Sequence, residues 1–191
     1  MNTPVHLLMG VAACGLPGGK ARNAAALAGA LVPDVTIIAM VAWQGWVVGR
    51  TGGQIFGTDY FTAFWQEIFA VSNSVPLFLA CAALGLLARL RWAVAFGIAA
   101  ILHVLTDIPL HAGDGHPPFW PFSDWIYVSS FSYWDVRHGA HILAPAEFVL
   151  CLMLAIWLWV KFRGLPARLV IALAVFVEAA FVFGAEMIYG A

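Results

Sequence analysis

Five stretches of about twenty predominantly apolar residues dominate the chain, at 23–48, 70–88, 92–110, 141–160 and 167–189. A soluble domain of 191 residues has no interior large enough to hide all five. A bilayer does, because each run, as a helix, matches a hydrocarbon core about 30 Å thick. A sixth apolar run, 3–16, is stopped by Gly15, Pro17, Gly18 and Gly19. As a helix it reaches only about 21 Å, so it either makes a short crossing or enters part way. The expected architecture is an all-α integral membrane helical bundle. It has one domain, five full spans and one short N-terminal helix, with loops at 50–69 and 111–139.

Composition agrees. Hydrophobic residues make up 63% of the chain and charged residues 10%, against about 45–50% and 25% in soluble domains. The net charge of −1, with no dense Lys/Arg track, excludes a nucleic-acid partner. Trp43, Trp46, Trp65, Trp120, Trp125 and Trp134 fall near span ends, where indole rings anchor at the membrane interface. Cys14, Cys81 and Cys151 form no C-x-x-C pair, so neither a zinc knuckle nor a redox pair is indicated. Val11–Cys14 resembles a lipoprotein cleavage box. The expectation is no cleavage, because the cations Lys20 and Arg22 follow the apolar run instead of preceding it.

Basic residues set an orientation. Lys20, Arg22, Arg89, Arg91, Lys161, Arg163 and Arg168 lie on one side of the predicted spans, and only Arg50 and Arg137 on the other. By the positive-inside rule the first side is cytoplasmic. The expected location is the bacterial inner membrane, with both long loops facing outward.

Acids and imidazoles inside the apolar runs carry the chemical information. Asp34, His103, Asp107, Glu147 and Glu178 all lie within predicted spans. An acid at mid-bilayer costs about 2.5–3.5 kcal/mol, so four without compensation cost on the order of 10 kcal/mol. They must be paired, protonated, bound to metal or facing a wet cavity. Helix rise puts Asp34 about 18 Å above Arg22, and His103 and Asp107 about 18 and 24 Å above Arg91. With His6, Glu67, Asn73, His141 and Glu147 at the outer ends of their segments, the polar residues converge on one outward-opening cavity.

His103-x3-Asp107 puts imidazole and carboxylate on one helix face. Both are suitable ligands for zinc or a similar divalent ion, and a structural hydrogen-bonded pair between helices has the same spacing. Asp107-x3-His111 repeats the spacing across Pro109. Asp135, His138 and His141 form a second group at a loop-to-helix junction, readable as a further metal site or as a solvated helix cap. Glu178 and Glu186 have no partner evident in the sequence.

His6-Leu7-Leu8-Met9-Gly10, Leu31-Val32-Pro33-Asp34 and His103-Val104-Leu105-Thr106-Asp107, followed by Phe119-Trp120-Pro121-Phe122, occur in that order. In this the chain resembles the YdjM-like inner-membrane metal-dependent hydrolases, a family distantly similar to zinc-dependent phospholipase C. The resemblance covers residues 3–125. It implies a metal centre built from His6, Asp34, His103 and Asp107. The family's His-Arg-x-x-Thr-His-Ser stretch is here Glu67–Ser74, with Asn73 in place of a histidine. Glu67, His111, His116, His138 and His141 are the available substitutes.

Two functions compete. One is a zinc-dependent hydrolase acting on a lipid or phosphoester, with Glu67 or Glu147 as base. The other is a non-catalytic scaffold or accessory subunit, packed against another membrane protein or pigment complex. Intramembrane acids also mark transport paths, but the helix count and the lack of an inverted repeat weigh against a transporter.

Overall fold

The structure is a computed structural model. It describes the backbone of residues 1–189 and the side chains of residues 1–184. The sequence expectation for Glu186 therefore lies outside the described side chains.

The chain is an all-α bundle with no strand among the described residues. The elements are α1 (Thr3–Cys14), α2 (Lys20–Ala42), α3 (Gly52–Gly57), α4 (Ala63–Ser72), α5 (Val75–Leu87), α6 (Arg91–Asp107), α7 (Ala140–Lys161) and α8 (Leu165–Tyr189). A π-helical turn, Trp43–Val48, extends α2, and a 3₁₀ turn, Ile108–Leu110, extends α6. Five helical segments are long and apolar enough to cross a membrane: Lys20–Val48, Ala63–Leu87, Arg91–Leu110, Ala140–Lys161 and Leu165–Gly184. The chain is thus a multi-pass membrane protein.

Burial runs opposite to that of a soluble protein. Small residues fill the interior, among them Ala26, Ala30, Ala99 and Ala100, and the large apolar side chains of Trp46, Leu87 and Phe176 face outward. That arrangement suits a lipid solvent, where helices associate through close backbone approach and internal polar contacts. At the α2–α6 crossing a Cβ on Gly29 would stand 2.1 Å from the Phe96 carbonyl oxygen. A Cβ on Gly10 of α1 would stand 2.8 Å from the Ala30 Cβ and 3.2 Å from the Ala99 Cβ.

The short N-terminal helix is the centre of the bundle. Although only 12 residues long, α1 touches α2, α6, α7 and α8. One side of it joins Cys14 to Ala26, Ala30 and Ala99. The other joins Val5 and Leu8 to Cys151, Leu158 and Ala174. The α7–α8 hairpin meets the α2–α5–α6 group chiefly through α1.

The segment 50–69, expected as a loop, instead carries α3, a 3₁₀ turn at Asp59–Phe61 and most of α4. Its glycines read as breakers, yet Thr51 and Gln54 close a capping box that starts α3. Ser74 does begin a helix, accepting from the Leu77 amide, but α4 precedes it. The break between α4 and α5 is fixed from outside. The Val75 amide donates to the Pro118 carbonyl at 2.9 Å, and the Ser74 hydroxyl to the Trp120 carbonyl. Pro33 sits inside α2 without ending it.

Candidate metal centre

Three helices deliver the site. His6 comes from the first turn of α1, Asp34 from α2, and His103 and Asp107 from the last turns of α6. His6 and His103 are buried and stack with ring centroids 3.5 Å apart and planes 12° from parallel. The donor atoms of His6, His103 and Asp107 all lie within 4.8 Å of one another. Asp34 closes the fourth side, with Oδ1 3.5 Å from His103 Nε2.

His103 is oriented by the backbone. Its Nδ1 lies 2.6 Å from the Ala30 carbonyl oxygen, which can only accept, so Nδ1 carries the proton. In the neutral ring Nε2 is then a bare acceptor. It is buried, has no hydrogen-bond partner, and faces the carboxylates of Asp34 at 3.5 Å and Asp107 at 3.9 Å. An acceptor facing two acceptors requires a cation between them, either a proton on Nε2 or a metal ion. Tetrahedral zinc, with bonds of about 2.0–2.2 Å, sets its donors about 3.3–3.5 Å apart. His6 Nε2 lies 3.2 Å from Asp107 Oδ1, a hydrogen-bond contact slightly shorter than that spacing, and His6 Nδ1 is a second buried nitrogen without a partner. A backbone carbonyl holding the far nitrogen of an imidazole is also the usual outer support of a metal-bound histidine.

Around this core the first residues of the chain fill in. The Met1 amino nitrogen meets Asp107 Oδ1, and the Asn2 amide donates to Glu147 Oε1. The Asn2 side chain donates to Glu178 at 3.0 Å, and the Thr3 hydroxyl to Asp34 Oδ2 at 2.6 Å. Glu178, without a partner in the sequence reading, therefore has one in Asn2. Sequence reasoning passed over Asn2 and Thr3 as ordinary helix-start residues. The available signal was the spacing of Thr3 to His6, i+3, which puts both on one face of α1, with Asn2 at its N-cap position.

Outward of Asp107 a second layer continues. His111 Nε2 donates to Asp107 Oδ2 at 3.0 Å, so the 3₁₀ turn at Pro109 preserves this contact. His111 Nδ1 lies 3.0 Å from Asp114 Oδ2, outside hydrogen-bond alignment. Burial works against a charge on His111, but the two carboxylates raise its pKa to about 9. Asp114 is tied down by the Trp134 indole at 2.8 Å, and its backbone carbonyl accepts from the Tyr60 hydroxyl at 2.7 Å. The same hydroxyl lies 3.1 Å from His116 Nε2. Burial first, and the neighbouring His111 charge second, lower the His116 pKa to about 4. A cavity of about 30 Å³ lies among Asn73, Asp107, His111 and His116, enough for one or two waters.

Other expected residues lie elsewhere. Glu67 is exposed on α4, because the face of α4 that packs inward carries Trp65, Phe69 and Ser72. Asn73 is buried and donates to the Phe69 carbonyl at 2.9 Å, so it lines the cavity wall while closing its own helix end. Asp135 and His138 form a local pair at 3.0 Å in which Asp135 also accepts from the Arg137 amide. His141 is exposed one turn further on. The second group is therefore a cap on a 3₁₀ turn, not three converging ligands. Glu147 is buried, with Oε1 on Asn2 and Oε2 unpartnered.

No family model, no curated protein and no solved structure matches this chain.

Proposed function

We propose that this chain is a membrane-embedded, divalent-metal-dependent hydrolase-like protein, with zinc the best fit, acting on a lipid or lipid-linked phosphoester. The observation that carries this reading is the bare, buried Nε2 of His103 facing two carboxylates, with its tautomer fixed by the Ala30 carbonyl. A metal bound there would lower the pKa of a coordinated water and polarise the scissile group. His6, Asp34, His103 and Asp107 would hold it, and His111 would support Asp107 from behind. The water-sized cavity beside Asp107 is where a nucleophile has room. Glu147, buried beside the N-terminal residues, is the remaining candidate base. The proposed setting is the bacterial inner membrane, with the basic turns cytoplasmic and the site toward the outer side, as in the YdjM-like family that the motifs resemble.

One observation favours the non-catalytic reading. Asp34, Asp107, Glu147 and Glu178 each accept a hydrogen bond from this chain's own Thr3, Met1, His111 or Asn2. A polar core in which each acid has a donor of this kind can specify a bundle without metal.

Metal content separates the two. The purified protein, analysed by inductively coupled plasma mass spectrometry, is expected to carry about one divalent ion per chain. His103→Ala and Asp107→Asn are expected to lose it. Metal below about a tenth of an equivalent after zinc supplementation, unchanged by either substitution, would overturn the hydrolase reading in favour of the polar core.

A further inference from the structure

A groove of about 370 Å³ runs between α7 and α8. Its walls are apolar: Ala155, Ile156 and Trp159 from α7, with Ile171, Val175 and Phe176 from α8. The stretch from Ile171 to Ala179 gives it a length of about 12 Å.

At the end nearest the α7–α8 turn the lining changes character. Arg168 lies three, four and seven residues before Ile171, Ala172 and Val175, so helical spacing puts it on the same stripe of α8. Its guanidinium sits 5.0 Å from the centroid of Trp159, a groove-wall residue. Arg168 Nε is buried and has no hydrogen-bond partner. Lys161 and Arg163 flank the same turn, and the sequence has no Asp or Glu from residue 148 to residue 177. Arg168 therefore stands beside the wall of an apolar channel, with Lys161, which donates to the Ala12 carbonyl at 3.4 Å, and Arg163 near it in sequence and no acid of their own hairpin to neutralise them. An indole beside a guanidinium is also characteristic of headgroup depth.

We propose that this groove is a binding site for an anionic phospholipid of the leaflet on the Lys161–Arg168 side. One acyl chain lies along the groove, and the headgroup phosphate accepts from Arg168. Charge complementarity selects the occupant. A lipid without a phosphate or an apolar helix would fill the channel but leave Arg168 Nε unsatisfied, whereas a phosphate oxygen supplies the missing acceptor, and a headgroup of net negative charge, unlike the zwitterionic headgroup of phosphatidylcholine, also complements the cations of this turn. The site is independent of the metal centre.

The test is lipid titration of the full chain in mild detergent, read by native mass spectrometry. The probes are dioleoyl phosphatidylglycerol, dioleoyl phosphatidylcholine and free glycerol 3-phosphate. Phosphatidylglycerol is expected to bind about tenfold tighter than phosphatidylcholine, and glycerol phosphate not to compete. Arg168→Gln should abolish the preference and Arg168→Lys retain part of it. Ala172→Phe, which adds bulk at an exposed groove position, should weaken both lipids. Equal affinity for the two lipids, preference surviving Arg168→Gln, or competition by glycerol phosphate would each overturn the proposal. So would a lipid-independent dimer that Ala172→Phe dissociates, since a second copy would then be the occupant.

Discussion

His103 is held at one end of its ring, by a backbone carbonyl at Nδ1, while its other nitrogen, Nε2, faces two carboxylates without a hydrogen bond. The spacing His103-x3-Asp107 announced half of this arrangement. The acceptor at Ala30 could not be read, because a main-chain carbonyl leaves no mark on residue identity. His116 gives the clearest pH signature among the imidazoles outside the spans. Its folded pKa of about 4 lies below the ordinary value of 6.5. The unfolded chain therefore takes up a proton that the folded chain refuses as pH falls from about 6.5 to about 4. Stability from this residue is full above that window and lost through it, by on the order of 3 kcal/mol. Thermal unfolding in detergent should show a midpoint that drops between pH 6.5 and 4.5 in the wild type and drops less in His116→Gln. Parallel pH curves for the two proteins would refute the assignment.

Helix crossings decide whether those side chains meet. Asp34 and the Ala30 carbonyl reach His103 because α2 lies almost on the backbone of α6 at Gly29. Gly29→Ala would force its new methyl against the Phe96 carbonyl, and overpacking of this kind costs about 1–3 kcal/mol. The expected result is a lower unfolding midpoint together with weaker metal retention. Gly45→Ala, with open space around it, should change neither. A Gly29→Ala protein with normal stability and metal content would show that the crossing is not what sets the site. The apolar runs were legible as helices because length and hydropathy alone define a span. α3 was not, since a capping box at Thr51 and Gln54 outweighs glycines that normally break a helix. Asp135, His138 and His141 resembled a ligand cluster by spacing, but a 3₁₀ turn followed by a helix start sends His141 to the surface.

The whole bundle turns on its short N-terminal helix. With α7 and α8 reaching the remaining spans chiefly through α1, Val5 and Leu8 act as the seam between two groups of helices. Leu8→Ala should open a cavity there and cost about 2–3 kcal/mol. In a Cys14→Ser, Cys81→Ser background, thiol labelling of the fully buried Cys151 should then accelerate about tenfold, the factor that 1.4 kcal/mol of easier opening allows. An unchanged labelling rate would mean that the hairpin is held by something other than α1. A central role for a 12-residue segment was not readable from its length, which suggested only a partial crossing. It follows from Gly10 and Cys14 on one side and Val5 and Leu8 on the other, which let α1 be enclosed from both directions.

The contact between His103 and the carbonyl of residue 30 has one further consequence. No amino-acid replacement at position 30 can delete an oxygen that every residue possesses. The imidazole's protonation pattern is therefore shielded from point substitution at its own anchor, and only a shift of one helix against another can undo it. Tuning this centre by mutation means adjusting the distance between two backbones, not exchanging a partner.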